Sequence, residues 1–242
     1  MPDRLPLLLV HGAGHGAWCW SHLLPELAAL GIEARAIDLP WHGPDRTPPG
    51  EVTLAAYGAA ICAAAAGMGG RAHLLGHSAG GYAITAAANA WPDMVGKLIF
   101  LAAYLPVSGQ SLSEMRKVWH EQPLLAAIRR NPDGTSFSFD PDKVIDLCYH
   151  DCEPALAAWA RDRLGPEPLP PQSTREDLSN DFQAIEKHYI VCAQDRVIPP
   201  GYQRVMAARL PPGRVSELDA SHSPFLSMPG VLAARIAGIL AA

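Results

Sequence analysis

The 242-residue sequence predicts an α/β fold, with a mainly parallel sheet of about six strands flanked by helices and a helical insertion. Short apolar segments alternate with longer helical ones, which is the order typical of a parallel sheet covered on both faces. The alternation stops between residues 104 and 187, which predicts the insertion. Because 49% of the residues are apolar, the chain can bury one large core. We therefore expect a single domain.

Each expected element follows from its local pattern. Strands are predicted where apolar runs are short and bounded by turn residues, at 5–10, 33–37, 71–76, 97–102, 188–193 and 214–218. Helices are predicted between them, at 18–30, 54–68, 79–90, 202–210 and 231–241. Residues 1–103 and 188–242 thus form the predicted core. Helix-like segments at 111–129, 141–148 and 154–164 predict a lid at 104–187, placed over the carboxyl ends of the strands, where open α/β sheets bind ligands.

Composition narrows the class of partner. The net charge is −5 and no run of like charges is present, which argues against nucleic acid and against an anionic membrane and favours a small neutral ligand. The five cysteines are scattered and odd in number, which indicates a reducing, cytoplasmic location. The first apolar run, 5–10, is too short for a signal peptide or a membrane span. A homodimer is compatible with the sequence, which does not specify an oligomeric state.

The pentapeptide Gly76-His77-Ser78-Ala79-Gly80 is the candidate nucleophile motif. It stands between a predicted strand and a predicted helix, and glycines two residues before and after the serine let the backbone bend sharply. Such a turn exposes the hydroxyl of Ser78. Because a G-x-S-x-G motif also arises by chance, its neighbours decide its meaning.

A serine nucleophile needs a histidine base and an acid that orients it. His222 lies in a loop directly after the last predicted strand, and Asp195 follows the fifth. The order Ser78, Asp195, His222 is the nucleophile–acid–histidine order of the α/β-hydrolase arrangement. Two alternatives stay open: Asp195 could instead cap the following helix, and Asp219 could be the acid.

Acyl transfer also needs amide donors for the oxyanion. The amide of Ala79 begins the helix after the nucleophile, at its positive end. The glycine-rich loop 11–16 after the first strand offers the amide of Ala13 as a second donor. The alternative is a flexible turn; a nucleotide site is disfavoured because neither glycine-rich phosphate-binding motif is present there.

The pocket and metal hypotheses rest on weaker signals. The aromatic residues of the insertion could line an apolar pocket or form the core of the lid itself; they are Trp119, Phe137, Phe139, Tyr149 and Trp159. The predicted pocket comprises Gly12, Trp119, Tyr149, Trp159 and Ser223. Cys148 and Cys152 flank His150, but four well-spaced ligands are missing, so neither a metal nor a cofactor is expected.

Three segments carry a family resemblance. Residues 10–20 (VHGAGHGAWCW), 76–81 (GHSAGG) and 221–225 (SHSPF) together resemble the α/β-hydrolase branch that holds plant methylesterases, hydroxynitrile lyases and their bacterial esterase relatives. The resemblance covers nearly the whole chain. It implies a cofactor-independent carboxylesterase with Ser78, Asp195 and His222 as triad, with Ala13 and Ala79 as oxyanion donors.

Two departures refine that expectation. Hydroxynitrile lyases of this branch carry threonine after the first-strand histidine and lysine after the catalytic histidine, where this chain has Gly12 and Ser223. The plant methylesterases tend to have methionine at the position of Ser223. We therefore expect a serine esterase acting on small to medium apolar carboxylic esters. The alternatives are lyase-like C–C cleavage and a weakly catalytic ligand receptor.

Overall fold

A six-stranded parallel sheet forms the centre of the computed structural model, which describes residues 5–242. Residues 1–4, the start of the predicted core, lie outside the described residues. The strands are β1 (Leu7–Val10), β2 (Ala34–Ile37), β3 (Ala72–His77), β4 (Val95–Leu101), β5 (Glu186–Cys192) and β6 (Val215–Leu218). Their spatial order in the sheet is β6-β5-β4-β3-β1-β2. Every predicted strand is thus confirmed, with its bounds moved by at most two residues.

Four of the named helices connect consecutive strands of the sheet, and a fifth follows the last strand after the short helix Pro224–Ser227. They are α1 (Leu23–Ala29), α2 (Leu54–Ala66), α3 (Gly80–Ala90), α4 (Pro200–Ala207) and α5 (Pro229–Ala241). The last two begin at a proline, which is tolerated in the first turn because its missing N–H would have no partner there. The predicted helix 18–30 is wrong at its start: Ala17–Trp20 form a 3₁₀ turn, which places the fully buried Trp20 ring 4.8 Å from that of Phe225.

Residues 104–187, called the cap from here on, contain strands as well as helices. The expected helix 111–129 ends at Val118, where Trp119 has an extended backbone, and a separate 3₁₀ helix begins at Pro123, which cannot donate the N–H that a continuous helix would need there. The chain then forms an antiparallel sheet of Ile128–Arg130, Ser136–Phe139 and Glu167–Pro168, and Gln110–Ser111 pairs with Arg175–Glu176. The cap helices are Leu112–Val118, Pro141–Cys148, Pro154–Arg161, Pro170–Ser173 and Asn180–Ala184.

The hydrophobic core runs through the sheet into the cap. Strands such as Leu7–Val10 are buried along their whole length, as expected for a sheet covered on both faces. Leu112, Met115 and Val144 of the cap belong to the same buried cluster. All five cysteines are free thiols. Among the described residues, no helix combines the length and apolar character that crossing a membrane requires.

Candidate active site

Ser78 occupies a strained turn between β3 and α3. Its φ is 55°, in the left-handed region that a non-glycine residue rarely adopts. The flanking glycines permit close approach: a Cβ on Gly76 would lie 2.6 Å from the Gly80 carbonyl oxygen, and one on Gly80 would lie 2.6 Å from the His11 carbonyl oxygen. The strand–turn–helix expected from the pentapeptide is therefore present, with Ser78 at its apex.

Asp195 and His222 form a buried pair. The Nδ1 atom of His222 donates to Oδ2 of Asp195 at 2.7 Å, and both side chains are almost fully buried. This bond leaves Nε2 as the nitrogen that can take a proton from a nucleophile. The competing acid Asp219 instead accepts a hydrogen bond from Gln194 at 2.8 Å.

The Asp195 carboxylate is anchored on both oxygens. Its Oδ1 accepts from the amides of Val197 and Ile198, so it also caps this turn, before α4 begins. Its Oδ2 accepts from Nε2 of Gln203 at 2.7 Å as well as from His222. Sequence reasoning missed Gln203, which is fully buried in α4. A single glutamine eight residues after an aspartate carries no signal that would have identified it.

His77 connects Ser78, the candidate nucleophile, to His222, the candidate base. It directly precedes Ser78, its ring centre lies 4.4 Å from that of His222, and its Nε2 donates to the His222 carbonyl oxygen at 2.9 Å. Burial lowers the pKa of His77 well below its usual value, and the neighbouring His222 lowers it further, so His77 stays neutral. Gly12 lies against the same group, because a Cβ there would be 2.8 Å from the Cβ of Ser78.

The two predicted oxyanion donors have unengaged amides. Within residues 5–242, the amides of Ala13 and Ala79 donate to no protein acceptor. Rings on the loop hold its carbonyls: Nδ1 of His11 donates to the Gly12 oxygen at 2.9 Å, and Nδ1 of His15 donates to the Ala13 oxygen at 2.8 Å. These two hydrogen bonds hold the Gly12 and Ala13 carbonyls of the loop.

The cap holds the loops that carry the candidate catalytic groups. Nε2 of His150 donates to the Gln194 carbonyl, beside Asp195, at 2.9 Å. The Asp151 carboxylate accepts from the Ser221 amide, beside His222, at 2.8 Å. This is the segment that the sequence offered as a weak metal candidate. In the part of the chain that is described, no three His, Cys, Asp or Glu side chains group in a way that could hold a metal ion.

The predicted pocket residues occupy different places. Ser223 follows His222 and is buried, and Gly12 adjoins Ser78. Tyr149 is buried, and its hydroxyl donates to Nε2 of His15 at 2.7 Å. The two tryptophans join cap to core, because Trp159 packs edge-on against Trp18 at 5.4 Å and Trp119 stacks on Tyr202 at 5.4 Å.

Of the cap's remaining aromatics, Phe137 and Phe139 pack on each other at 5.5 Å. Phe137 is 3% exposed. Both lie on the antiparallel strand Ser136–Phe139, and the Phe139 ring lies against loop 11–16, since a Cβ on Gly14 would be 2.7 Å from its Cε2.

Comparisons with known proteins show the family and the fold of the chain. Residues 7–235 match the model of a family described as the alpha/beta hydrolase family. The chain is 29% identical to methylesterase 3 of Arabidopsis thaliana, over 95% of this chain and 94% of that protein. It is also 29% identical to salicylic acid-binding protein 2 of Nicotiana tabacum, over 98% and 97%. A crystal structure of a pyrethroid hydrolase from Sphingobium faniae JZ-2 superposes with a TM-score of 0.84 at 28% identity, covering 98% of both chains.

Proposed function

Because the chain belongs to the alpha/beta hydrolase family and, like its esterase relatives, is a carboxylic ester hydrolase, we propose that it works through a serine acyl-enzyme. The observation that carries this proposal is the strained turn of Ser78 together with the His222 ring, which packs 4.4 Å from the ring of the adjacent His77 and whose Nδ1 donates to Asp195 at 2.7 Å. No metal or cofactor enters the proposed reaction.

In the proposed mechanism, His222 removes the proton of the Ser78 hydroxyl as its oxygen attacks the ester carbonyl carbon. The amides of Ala13 and Ala79 receive the negative oxygen of the tetrahedral intermediate. His222 then returns the proton to the leaving alcohol, and the acyl group stays on Ser78. A water molecule, deprotonated by His222, attacks the acyl-enzyme. The bond between the acyl carbon and Ser78 Oγ breaks, His222 returns the proton to Oγ, and the acid is released. Asp195 keeps Nδ1 of His222 protonated and stabilises the imidazolium form throughout.

The proposed substrates are small to medium apolar carboxylic esters. Gly12 and Ser223 place no charged side chain beside the reacting groups. The relatives' names, methylesterase and pyrethroid hydrolase, extend the range to be tested from methyl esters to bulky apolar esters. A threonine at position 12, as in the hydroxynitrile lyases, would bring its Cβ within 2.8 Å of the Cβ of Ser78. Because the backbone of this chain leaves no room for the threonine that the lyases carry, the geometry at Gly12 argues against the lyase alternative.

The test compares wild type with Ser78→Ala on a panel of p-nitrophenyl esters of increasing acyl length. The wild type should turn over the shorter esters, and Ser78→Ala should lose at least about 10³-fold in kcat while melting normally. Ser227→Ala, a matched change at a half-buried serine whose hydroxyl oxygen is buried, should keep full activity. A fluorophosphonate probe should label Ser78 in the wild type. Retained turnover in Ser78→Ala would refute the mechanism, and mandelonitrile cleavage without ester hydrolysis would favour the lyase.

A further inference from the structure

Gly14, next to the proposed oxyanion donor Ala13, is bound on both of its backbone groups by the cap. Its carbonyl oxygen accepts from the Gly165 amide at 2.8 Å, and its amide donates to Oε2 of Glu167 at 2.9 Å. Glu167 is 153 residues away in sequence and lies in the cap strand Glu167–Pro168. One short cap segment, 165–167, therefore holds the centre of loop 11–16, which is called the oxyanion loop from here on.

The Glu167 carboxylate is buried among donors. Its residue is 3% exposed. Its Oε2 also accepts from Nε2 of His42 at 3.0 Å, and its Oε1 accepts from the side-chain Nε2 of Gln172 at 3.3 Å. The other ring nitrogen of His42, Nδ1, faces the Pro40 carbonyl at 3.1 Å, so both ring nitrogens face acceptors, an arrangement that favours the doubly protonated ring. A buried carboxylate stays charged only with such a partner.

The pKa of His42 is raised, as this arrangement requires. Burial alone would lower its pKa, but the hydrogen bond and the charge of Glu167 outweigh burial and raise the pKa above its usual value. The His11 ring lies 4.6 Å from the His42 ring and is neutral, because burial lowers its pKa well below the usual value. The Glu167–His42 pair therefore faces the loop at Gly14, and the Asp38 carboxylate faces the end of the loop, where its Oδ1 accepts from the Ala17 amide at 2.7 Å.

We propose that Glu167 is a positioning residue for ester hydrolysis: by binding the Gly14 amide, with His42 as its counter-ion, it fixes the orientation of the Ala13 N–H that receives the oxyanion. This inference rests on the proposed esterase function.

The geometry of one peptide unit explains how Glu167 would act. The Gly14 amide and the Ala13 carbonyl belong to the same planar unit. Glu167 holds the nitrogen side and Nδ1 of His15 holds the oxygen side, so the plane cannot rotate. The Ala13 N–H lies one unit earlier, and that unit is held by Nδ1 of His11 and the His15 amide, which both donate to the Gly12 oxygen. With both units fixed, the direction of the Ala13 N–H is set before substrate binds, as oxyanion stabilisation requires.

Two variants of Glu167 separate its acceptor from its charge. Glu167→Ala removes both, whereas Glu167→Gln keeps a carbonyl oxygen that can accept from Gly14 but removes the charge opposite His42. We expect kcat on a p-nitrophenyl ester to fall about 10²-fold in Glu167→Ala and about 10-fold in Glu167→Gln, with KM changed less than about threefold. The partial rescue by glutamine is part of the prediction.

The matched control is Asp140→Asn. Asp140 is a buried carboxylate of the cap, at 5% exposure, that pairs with Arg129 and caps the helix Pro141–Cys148 without contacting the oxyanion loop. It should reduce the melting temperature as a Glu167 variant does, but leave kcat within about twofold of the wild type.

A transition-state analogue gives the readout that a purely structural role would not change. Phenylboronic acid forms a tetrahedral adduct on the nucleophile and engages the oxyanion donors. Its inhibition constant should rise about as much as kcat falls in both Glu167 variants and stay unchanged in Asp140→Asn. Should Glu167→Ala fail to fold, the comparison of Glu167→Gln with the control carries the test.

The outcomes are distinguishable. An active wild type together with a Glu167→Gln variant that matches the control in kcat and in boronate affinity would overturn the positioning role and leave the esterase function intact. A wild type that hydrolyses no ester and is not labelled by a fluorophosphonate would refute both proposals. A parallel loss of kcat and boronate affinity, at constant KM, would support the role of Glu167.

Discussion

The substitution Gln203→Met tests whether the acid of the site depends on a buried amide. Methionine matches glutamine in length and lacks branching, so it fills the space without donating or accepting strongly. In the wild type, Nε2 of Gln203 donates to Asp195 at 2.7 Å and to the Ile198 carbonyl at 2.8 Å, while its Oε1 accepts from the Cys192 amide at 3.0 Å.

The loss of stability follows from these contacts. Gln203 is 0% exposed, so the Cys192 amide and the Ile198 carbonyl lose a partner that water cannot replace. Each buried group left without a partner costs about 1–3 kcal/mol, and the added apolar contact of methionine offsets about 1 kcal/mol. We expect a net loss of about 1–5 kcal/mol. At about 2–4 °C per kcal/mol for a chain of this size, the melting temperature should fall by about 2–20 °C.

Catalysis should weaken as well, because Oδ2 of Asp195 would keep only His222 as a partner and its orientation would loosen. We expect kcat to fall about 10-fold at unchanged KM. The assay combines thermal unfolding with ester kinetics below the melting transition, and the exposed Gln183→Met serves as control. A Gln203→Met protein that melts within about 1 °C of the wild type would refute the argument about unpaired groups.

Three further predictions concern the nucleophile, the acid and the buried histidines. Gly12→Ala should lower kcat more than about 10-fold without unfolding the protein, because its Cβ would lie 2.8 Å from the Cβ of Ser78. Gly238→Ala, whose Cβ would meet no atom within 4 Å, should keep full activity in the same kinetic assay. Asp195→Asn should reduce kcat by about 10²–10⁴-fold and Asp219→Asn by less than about threefold; the reverse ranking would make Asp219 the acid. Burial lowers the pKa of His15 to about 4. Since an unfolded histidine titrates near about 6.5, protons bind the unfolded chain first, and acidification from pH 8 to 5 should cost about 2 kcal/mol of unfolding free energy through this residue. Urea titrations at pH 8 and pH 5 should show that His15→Gln loses correspondingly less unfolding free energy on acidification. An equal loss would contradict the lowered pKa of His15.

The parts of the site that could be predicted from the sequence are those encoded by short local patterns. Ser78 was predictable because the turn between a buried strand and a helix needs glycines on both sides. Asp195 and His222 were predictable because both follow strands of the same parallel sheet, whose carboxyl ends share one edge. The order of these residues along the chain then matched one known arrangement.

The supporting residues could not be predicted, because their partners are distant in sequence. Glu167 meets Gly14 across 153 residues and stands in a proline-rich segment that carries no periodic pattern. Gln203 has a helical position like many others, and only the fold places it under Asp195. The cap strands were missed for a related reason: Ile128–Arg130 is three residues long and is stabilised by pairing with Ser136–Phe139, so its local pattern is too short to indicate a strand.

The contacts of the cap also bear on how substrate reaches Ser78. The cap makes four hydrogen bonds to the loops of the candidate site. Two are made to the backbone groups of Gly14 in the oxyanion loop, one to the Gln194 carbonyl beside Asp195, and one to the Ser221 amide beside His222. Lifting the cap as a rigid body would break these four hydrogen bonds, at about 0.5–1.5 kcal/mol each, and would expose apolar side chains shared with the core. It would also misalign the oxyanion loop whenever the site was open. We therefore expect substrate to enter through local side-chain movement at the edge of the cap, with the catalytic loops remaining bound throughout the cycle.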